Sequence, residues 1–258
     1  MNRYAVADLH GQLDLLEQIK EYLNEDDILY ILGDSGDRGP QPWRTLKASL
    51  DDPQFVYLMG NHDLMLIKAI EQYLKMPEEE RAYGLGMCFY HKSPMSLLQY
   101  NGGMDTFHGW KDEPERMKYY QKLRFAPVEI RLAALDGEHF IHLTHAGYSP
   151  HLYNPKNVEE MVWDRDHFYY ESATDGSLMV HGHTPCSSLV KKFDSAQKFN
   201  HLYDYDLSNG YCIYADDTKI DIDIGACFYN KTVLLNIDTL EAKIFTTKGD
   251  NVNGAQSK

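Results

Sequence analysis

The sequence predicts an α/β fold built on parallel strands, and three observations predict it. Apolar runs at Tyr4–Ala7, Ile28–Leu32 and Phe55–Met59 alternate with stretches of helical length, the pattern of βαβ units. Each run breaks into a polar, glycine-bearing cluster: Asp8-Leu9-His10-Gly11, Gly33-Asp34-Ser35-Gly36-Asp37-Arg38-Gly39 and Gly60-Asn61-His62-Asp63. Two later apolar runs end the same way, in His145-Ala146-Gly147 and Gly182-His183-Thr184. Open α/β sheets bind their ligands at the carboxyl ends of strands, so these endings are candidate site residues by position alone.

The first strand, Tyr4–Ala7, leads into Asp8 and His10, which stand two apart on extended backbone and leave the same face. Such a pair has metal-ligand spacing. Leu13, Leu15, Leu16, Ile19, Tyr22 and Leu23 broadly follow a 3.6-residue period, predicting a helix that returns the chain to the Ile28 strand. Residues 40–50 suggest a second helix and Phe55–Met59 a third strand. Asp63 is expected to cap the helix opened by Leu64. Residues 64–126 read as a mainly helical excursion, interrupted at Asn101-Gly102-Gly103. Asp136-Gly137 joins Val128–Leu135 and Glu138–Leu143 as a hairpin. Leu178–His181, Tyr211–Ala215, Lys219–Ile224, Thr232–Ile237 and Ala242–Thr246 complete the strands, while 193–208 reads as a loop or a short helix plus turn.

A chain of 258 residues can bury one full core, so one domain over 1–246 is expected, with 247–258 frayed. No apolar run approaches the roughly 20 residues of a membrane span, and no targeting pattern opens the sequence. The cytoplasm is the expected compartment. A formal charge of −14 disfavours extended nucleic acid as a partner, although a local cation-rich cleft still accepts a phosphate. Cys88, Cys186, Cys212 and Cys227 form no CxxC pair and read as reduced structural thiols.

Together Asp8, His10, Asp34, Asn61, His145 and His183 supply the mixed oxygen and nitrogen ligands of a two-metal centre, with Asp34 central enough to bridge. His62, oriented by Asp37, is positioned to protonate a leaving oxygen, and Arg38 and Arg165 to neutralise phosphoryl charge. No thiolate-phosphatase run and no GxxxxGK[ST] loop competes with this reading.

These ordered motifs resemble those of the calcineurin-like metallophosphatases, over about residues 4–237. Asn101-Gly102-Gly103 and Trp163–Arg165 resemble segments of bacterial and phage serine/threonine protein phosphatases and of symmetrical dinucleoside tetraphosphatases. The resemblance implies a four-layer αββα sandwich, two packed mixed β-sheets flanked by helices. It also implies one cation on Asp8, His10 and Asp34, another on Asp34, Asn61, His145 and His183, and a metal-activated hydroxide attacking phosphorus directly. Manganese is the expected metal, with iron and zinc as alternatives. Ala7 stands where the family commonly has glycine, and Gly36 replaces a branched apolar residue, which is expected to loosen the Asp34–Asp37 loop. The expected substrate is a phosphoprotein, with a symmetrical bis(5′-nucleosyl) tetraphosphate or another small phosphorylated compound as the alternative; a non-catalytic, metal-retaining phosphoprotein-binding module is a third reading. Cleft walls at 84–125 and 186–218, the latter bearing Tyr203, Tyr205 and Tyr211, are expected to choose among substrates.

Overall fold

A computed structural model describes residues 1–82, 93–147, 157–165, 167, 177–196 and 204–247. Cys88, Tyr203 and the expected frayed end beyond 247 lie outside the described residues.

Two mixed sheets carry the fold. The first has the order β11-β10-β1-β2-β3, formed by β1 (Arg3–Val6), β2 (Ile28–Ile31), β3 (Phe55–Tyr57), β10 (Lys231–Asn236) and β11 (Ala242–Thr246). β1, β2 and β3 run parallel, while β10 and β11 add antiparallel edges. The second has the order β4-β5-β6-β9-β8-β7, formed by β4 (Glu129–Ala133), β5 (Phe140–Thr144), β6 (Leu178–His181), β7 (Tyr205–Asp206), β8 (Cys212–Tyr214) and β9 (Lys219–Asp221). Its centre, β5-β6-β9, is again parallel.

Period-2 alternation explains how both faces of each sheet are filled. On β1 and β2, Ala5 and Tyr30 point into a core shared with Leu143, Val180 and Ile220 of the second sheet. Val6, Leu29 and Ile31 point the other way, against helices α1 (Leu13–Tyr22), α2 (Pro42–Asp51) and α3 (Asn61–Lys75). Strands buried on both sides need near-continuous apolar sequence, which is why β2 reads Ile-Leu-Tyr-Ile. Helix α9 (Cys186–Ala196) covers the outer face of the second sheet through Leu189 and Phe193. The layers are helix, sheet, sheet, helix, the α/β calcineurin-like arrangement expected.

The remaining helices are α4 (Glu78–Ala82), α5 (Pro94–Tyr100), α6 (Met104–His108), α7 (Glu113–Arg124), α8 (Val158–Trp163) and α10 (Ala226–Tyr229). α3 starts at Asn61, so the third motif is a helix's first turn and not a loop before it. Asp63 is therefore the third residue of that helix and not the cap before Leu64 that was expected; from there its carboxylate reaches back to accept the N–H of the N-cap residue Gly60 at 2.8 Å. Among the described residues no helix is long and apolar enough to cross a membrane.

The tyrosine-rich stretch differs from expectation. Tyr211 is buried in the core with its hydroxyl on the Leu240 carbonyl, and Tyr205 donates to Asp194. Both belong to β7, β8 and their turn, at the edge of the second sheet, because alternation across that hairpin turns Tyr211 inward.

Candidate metal centre

The site forms where the carboxyl ends of β1, β2 and β3 meet those of β5 and β6. Asp8, His10, Asp34, Asp37, Arg38 and His183 all hold left-handed backbone, with φ from 41° to 71°; β1 ends at Val6, so a left-handed loop and not the expected extended spacing brings Asp8 and His10 together. For residues other than glycine this strain costs on the order of 1 kcal/mol or more each, and it persists because the sheets over-determine the loops. Flanking glycines make the close approaches possible. A Cβ on Gly60 would lie 2.0 Å from Asp34 Oδ1, and one on Gly182 2.2 Å from Asp8 Oδ2. Ala7 is tolerated beneath Gly182, whose hydrogen leaves room for its methyl.

Two groups of ligand-bearing side chains share Asp34: His10, Asp34 and His62, and Asp34, His145 and His183. Asp34 Oδ2 is 3.4 Å from His145 Nε2 and 3.9 Å from His10 Nε2. Asn61 Oδ1 lies 2.9 Å from both His145 Nε2 and His183 Nδ1, which are 3.2 Å apart. Asp8 is in neither group, but its Oδ1 lies 3.9 Å from His10 Nε2 and its Oδ2 accepts the His183 N–H.

The residues present fit two divalent cations. His145 directs Nδ1–H to the Leu32 carbonyl and His10 directs Nδ1–H to that of Gly36, so both Nε2 atoms face inward. Ligand atoms of His145, His183, Asn61 and Asp34 converge there, and the proton that His145 Nε2 holds against Asn61 and Asp34 stands where a cation would supply the positive charge. Acids are concentrated as well: Asp8, Asp34, Asp221 and Asp223 are all buried. Burial and the charge of Asp223 push the Asp8 carboxyl well up, and burial pushes Asp223 to about 7. Burial also acts on Asp34, but His145, His62 and His10 outweigh it and hold that carboxyl well below the usual range. His145 moves in the matching direction: burial opposes its charge, yet Asp34 and Asp8 raise it to about 10.

His62 uses both ring nitrogens elsewhere. Nδ1 is 2.6 Å from Asp37 Oδ2, and Nε2 accepts from Arg38 Nη2 at 2.7 Å, while Arg38 Nη1 reaches His10 Nε2 at 3.1 Å. Arg165 stands on the rim with Nε on Thr184 Oγ1 at 3.1 Å, and the nearby Arg38 charge adds to burial in lowering its pKa. All ten sequence-predicted residues therefore gather in one region.

Sequence reasoning missed Thr106, whose Oγ1 accepts the Asp37 N–H at 2.9 Å and donates to the Asp37 carboxylate. Its γ-methyl also lies 3.2 Å from where a Gly36 Cβ would stand. The expected loosening at Gly36 is countered, because Thr106 fills the space a branched side chain would take. A lone threonine on α6 carries no local signal of this role. Asp63 also accepts the Asp34 N–H at 3.2 Å. Gly60→Ala is expected to displace Asp34 and weaken cation binding about 10–100-fold, read by metal titration of the folded protein. Unchanged affinity would remove the close packing of Gly60 on Asp34 as a determinant of the site.

The sandwiched sheets and the paired ligand groups at their strand ends define a metallophosphoesterase-type site. The chain belongs to the calcineurin-like phosphoesterase family, whose model matches residues 1–222. It is 29% identical over 154 residues to a symmetrical bis(5′-nucleosyl)-tetraphosphatase of Methylobacillus flagellatus, covering 58% of this chain and 44% of that one. It is 35% identical over 71 residues to serine/threonine-protein phosphatase 2 of Escherichia coli, covering 26% of this chain and 32% of that one. The chain thus spans under half the length of these curated relatives. In fold it is similar to a crystal structure provisionally assigned as a diadenosine tetraphosphatase, with a TM-score of 0.56, 13% identity and coverage of 96% and 94% of the two chains.

Proposed function

We propose that this protein is a two-cation phosphohydrolase that cleaves a dinucleoside polyphosphate or a related nucleotide. The observation that carries the hydrolase reading is the sharing of Asp34 between two ligand groups beside the Asp37-His62-Arg38 cluster. Asp8, His10 and Asp34 would hold one ion, and Asp34, Asn61, His145 and His183 the other. Bound there, divalent cations supply Lewis-acid polarisation of phosphoryl oxygens and activation of water for in-line attack. Manganese is our proposed ion, since this oxygen and nitrogen set accepts it; iron and zinc suit the same ligands.

The protein's own groups do the rest. Arg38 cannot give up its proton, so His62 Nε2 accepts from it and Nδ1–H points to Asp37. A substrate phosphate draws Arg38 away, so His62 Nε2 takes up a proton from solvent and passes it to the leaving oxygen, which returns the ring to its neutral form. Asp37, held by Thr106, keeps the imidazole aimed. Arg38 and Arg165 flank the opening and neutralise the phosphoryl oxygens.

The expectation of a phosphoprotein substrate now ranks second. The tetraphosphatase relative aligns over 154 residues and the protein phosphatase relative over 71, which supports the nucleotide reading more. A specific observation keeps the other open: net charge −14 repels a polyanion and attracts a peptide with basic flanks. The cytoplasm remains the compartment we propose. The test compares kcat/KM for dinucleoside tetraphosphate, phosphopeptides and an aryl phosphate with manganese-loaded protein. Dinucleoside tetraphosphate is expected to lead by at least about tenfold, or 1.4 kcal/mol of transition-state discrimination. A phosphopeptide lead reverses the substrate assignment, and no turnover of any phosphoester favours a binding module.

A further inference from the structure

The motif that follows β5, His145-Ala146-Gly147, ends in a glycine that the cation ligands do not explain. What it admits is the imidazole of His167. A Cβ on Gly147, which is left-handed with φ 78°, would lie 2.4 Å from His167 Cε1 and 2.5 Å from Nε2. The ring is fully buried, and its Nε2–H donates to the Ala146 carbonyl at 2.7 Å. It also meets His181 of β6 edge-to-face, with ring centroids 5.2 Å apart.

Lys219 of β9 closes the socket around this residue. A fully buried lysine is rare, because an ammonium taken out of water must find hydrogen-bond partners inside. Lys219 is 0% exposed; its Nζ donates to the His167 carbonyl at 2.7 Å and stands 3.5 Å from His167 Nδ1, the acceptor nitrogen of the ring. Ring and main chain of His167 are thus gripped by the end of β5, by β6 and by β9. Two residues earlier stands Arg165, on the rim of the site with Nε on Thr184 Oγ1 at 3.1 Å. A long side chain at a rim is costly to order on binding, and fixing the backbone beneath it lowers that cost.

We infer that His167 and Lys219 are positioning residues for Arg165, socketing the chain two residues beyond it so that its guanidinium is held ready for a substrate phosphoryl group. The carbonyl that the ring selects gives the socket its purpose: Ala146 adjoins the candidate ligand His145, so a single hydrogen bond ties the backbone near the arginine to the candidate metal centre. Apolar side chains would fill the same space with no desolvation cost, but they could not hold one carbonyl at one point. The inference rests on the phosphohydrolase reading above and holds for a nucleotide and a phosphopeptide alike.

A double-mutant cycle separates positioning from packing, read as calorimetric binding of inorganic phosphate to manganese-loaded protein and as KM and kcat for an aryl phosphate. Arg165→Ala is expected to weaken phosphate binding about tenfold. His167→Leu and Lys219→Met, which keep apolar bulk, are each expected to weaken it about five- to tenfold and to raise KM more than they lower kcat. His167→Gln, which keeps a donor for the Ala146 carbonyl, is expected to stay within about threefold of the wild type. In the Arg165→Ala background His167→Leu and Lys219→Met are expected to cost less than about twofold more, since no guanidinium is left to misplace. Circular dichroism and two bound cations verify each variant, and either substitution closes the cycle by itself. Additive losses in the Arg165→Ala background, or loss of cations in place of phosphate affinity, overturn the positioning role. Undiminished phosphate affinity in Arg165→Ala overturns it as well, together with the phosphate role of Arg165. Coupled losses of phosphate affinity in a protein that turns over no phosphoester uphold the socket and overturn the hydrolase reading instead.

Discussion

Asp34→Asn is expected to deplete both cation positions together and to slow phosphoester hydrolysis by at least about a thousandfold, roughly 4 kcal/mol of lost transition-state stabilisation. The reason is geometric. One oxygen, Asp34 Oδ2, faces His145 on one side and His10 on the other, so removing its charge weakens two ligand groups at once. Asparagine keeps an oxygen where Asp34 Oδ1 accepts the His62 N–H at 2.9 Å, which preserves the helix start and the fold. Metal analysis after manganese loading is expected to approach two ions per chain in the wild type and to fall clearly in the variant, with circular dichroism verifying that both are folded. Two tightly held ions in Asp34→Asn would sink the bridging assignment.

His62→Ala is expected to slow alkyl phosphate hydrolysis by about 10²–10⁴-fold while costing an aryl phosphate far less. An alkoxide departs badly without a proton, whereas a phenolate is already a stabilised anion. A phosphoanhydride also departs as a stabilised anion, so dinucleoside tetraphosphate is expected to fall with the aryl compound and phosphoserine peptides to fall furthest. Asp37→Asn should give a weaker version of the same order, since Asp37 holds the Nδ1 side of the ring at 2.6 Å without touching the leaving group. Equal losses on all three substrates, with cation content intact, would exclude His62 as the proton donor.

Local pattern by itself determined the early strands and their helices, because burial at period 2 and period 3.6 is written into neighbouring residues. The Asp136-Gly137 turn was readable for the same reason, since turn chemistry acts over two or three residues, whereas Asp63 fell inside a helix that starts earlier, at Asn61. The candidate ligands were also readable, as polar residues ending successive apolar runs. Only tertiary structure decided which of them meet. His183 reaches Asn61 from 122 residues away, and Thr106 clamps Asp37 from 69. Tyr211 turned inward while Phe228 and Tyr229 stayed outside, although all three are aromatic. The stacking of the two sheets made those choices, because loop-closing contacts between distant segments leave no periodic mark on either one, and a side chain's exposure depends on what the other segment brings against it.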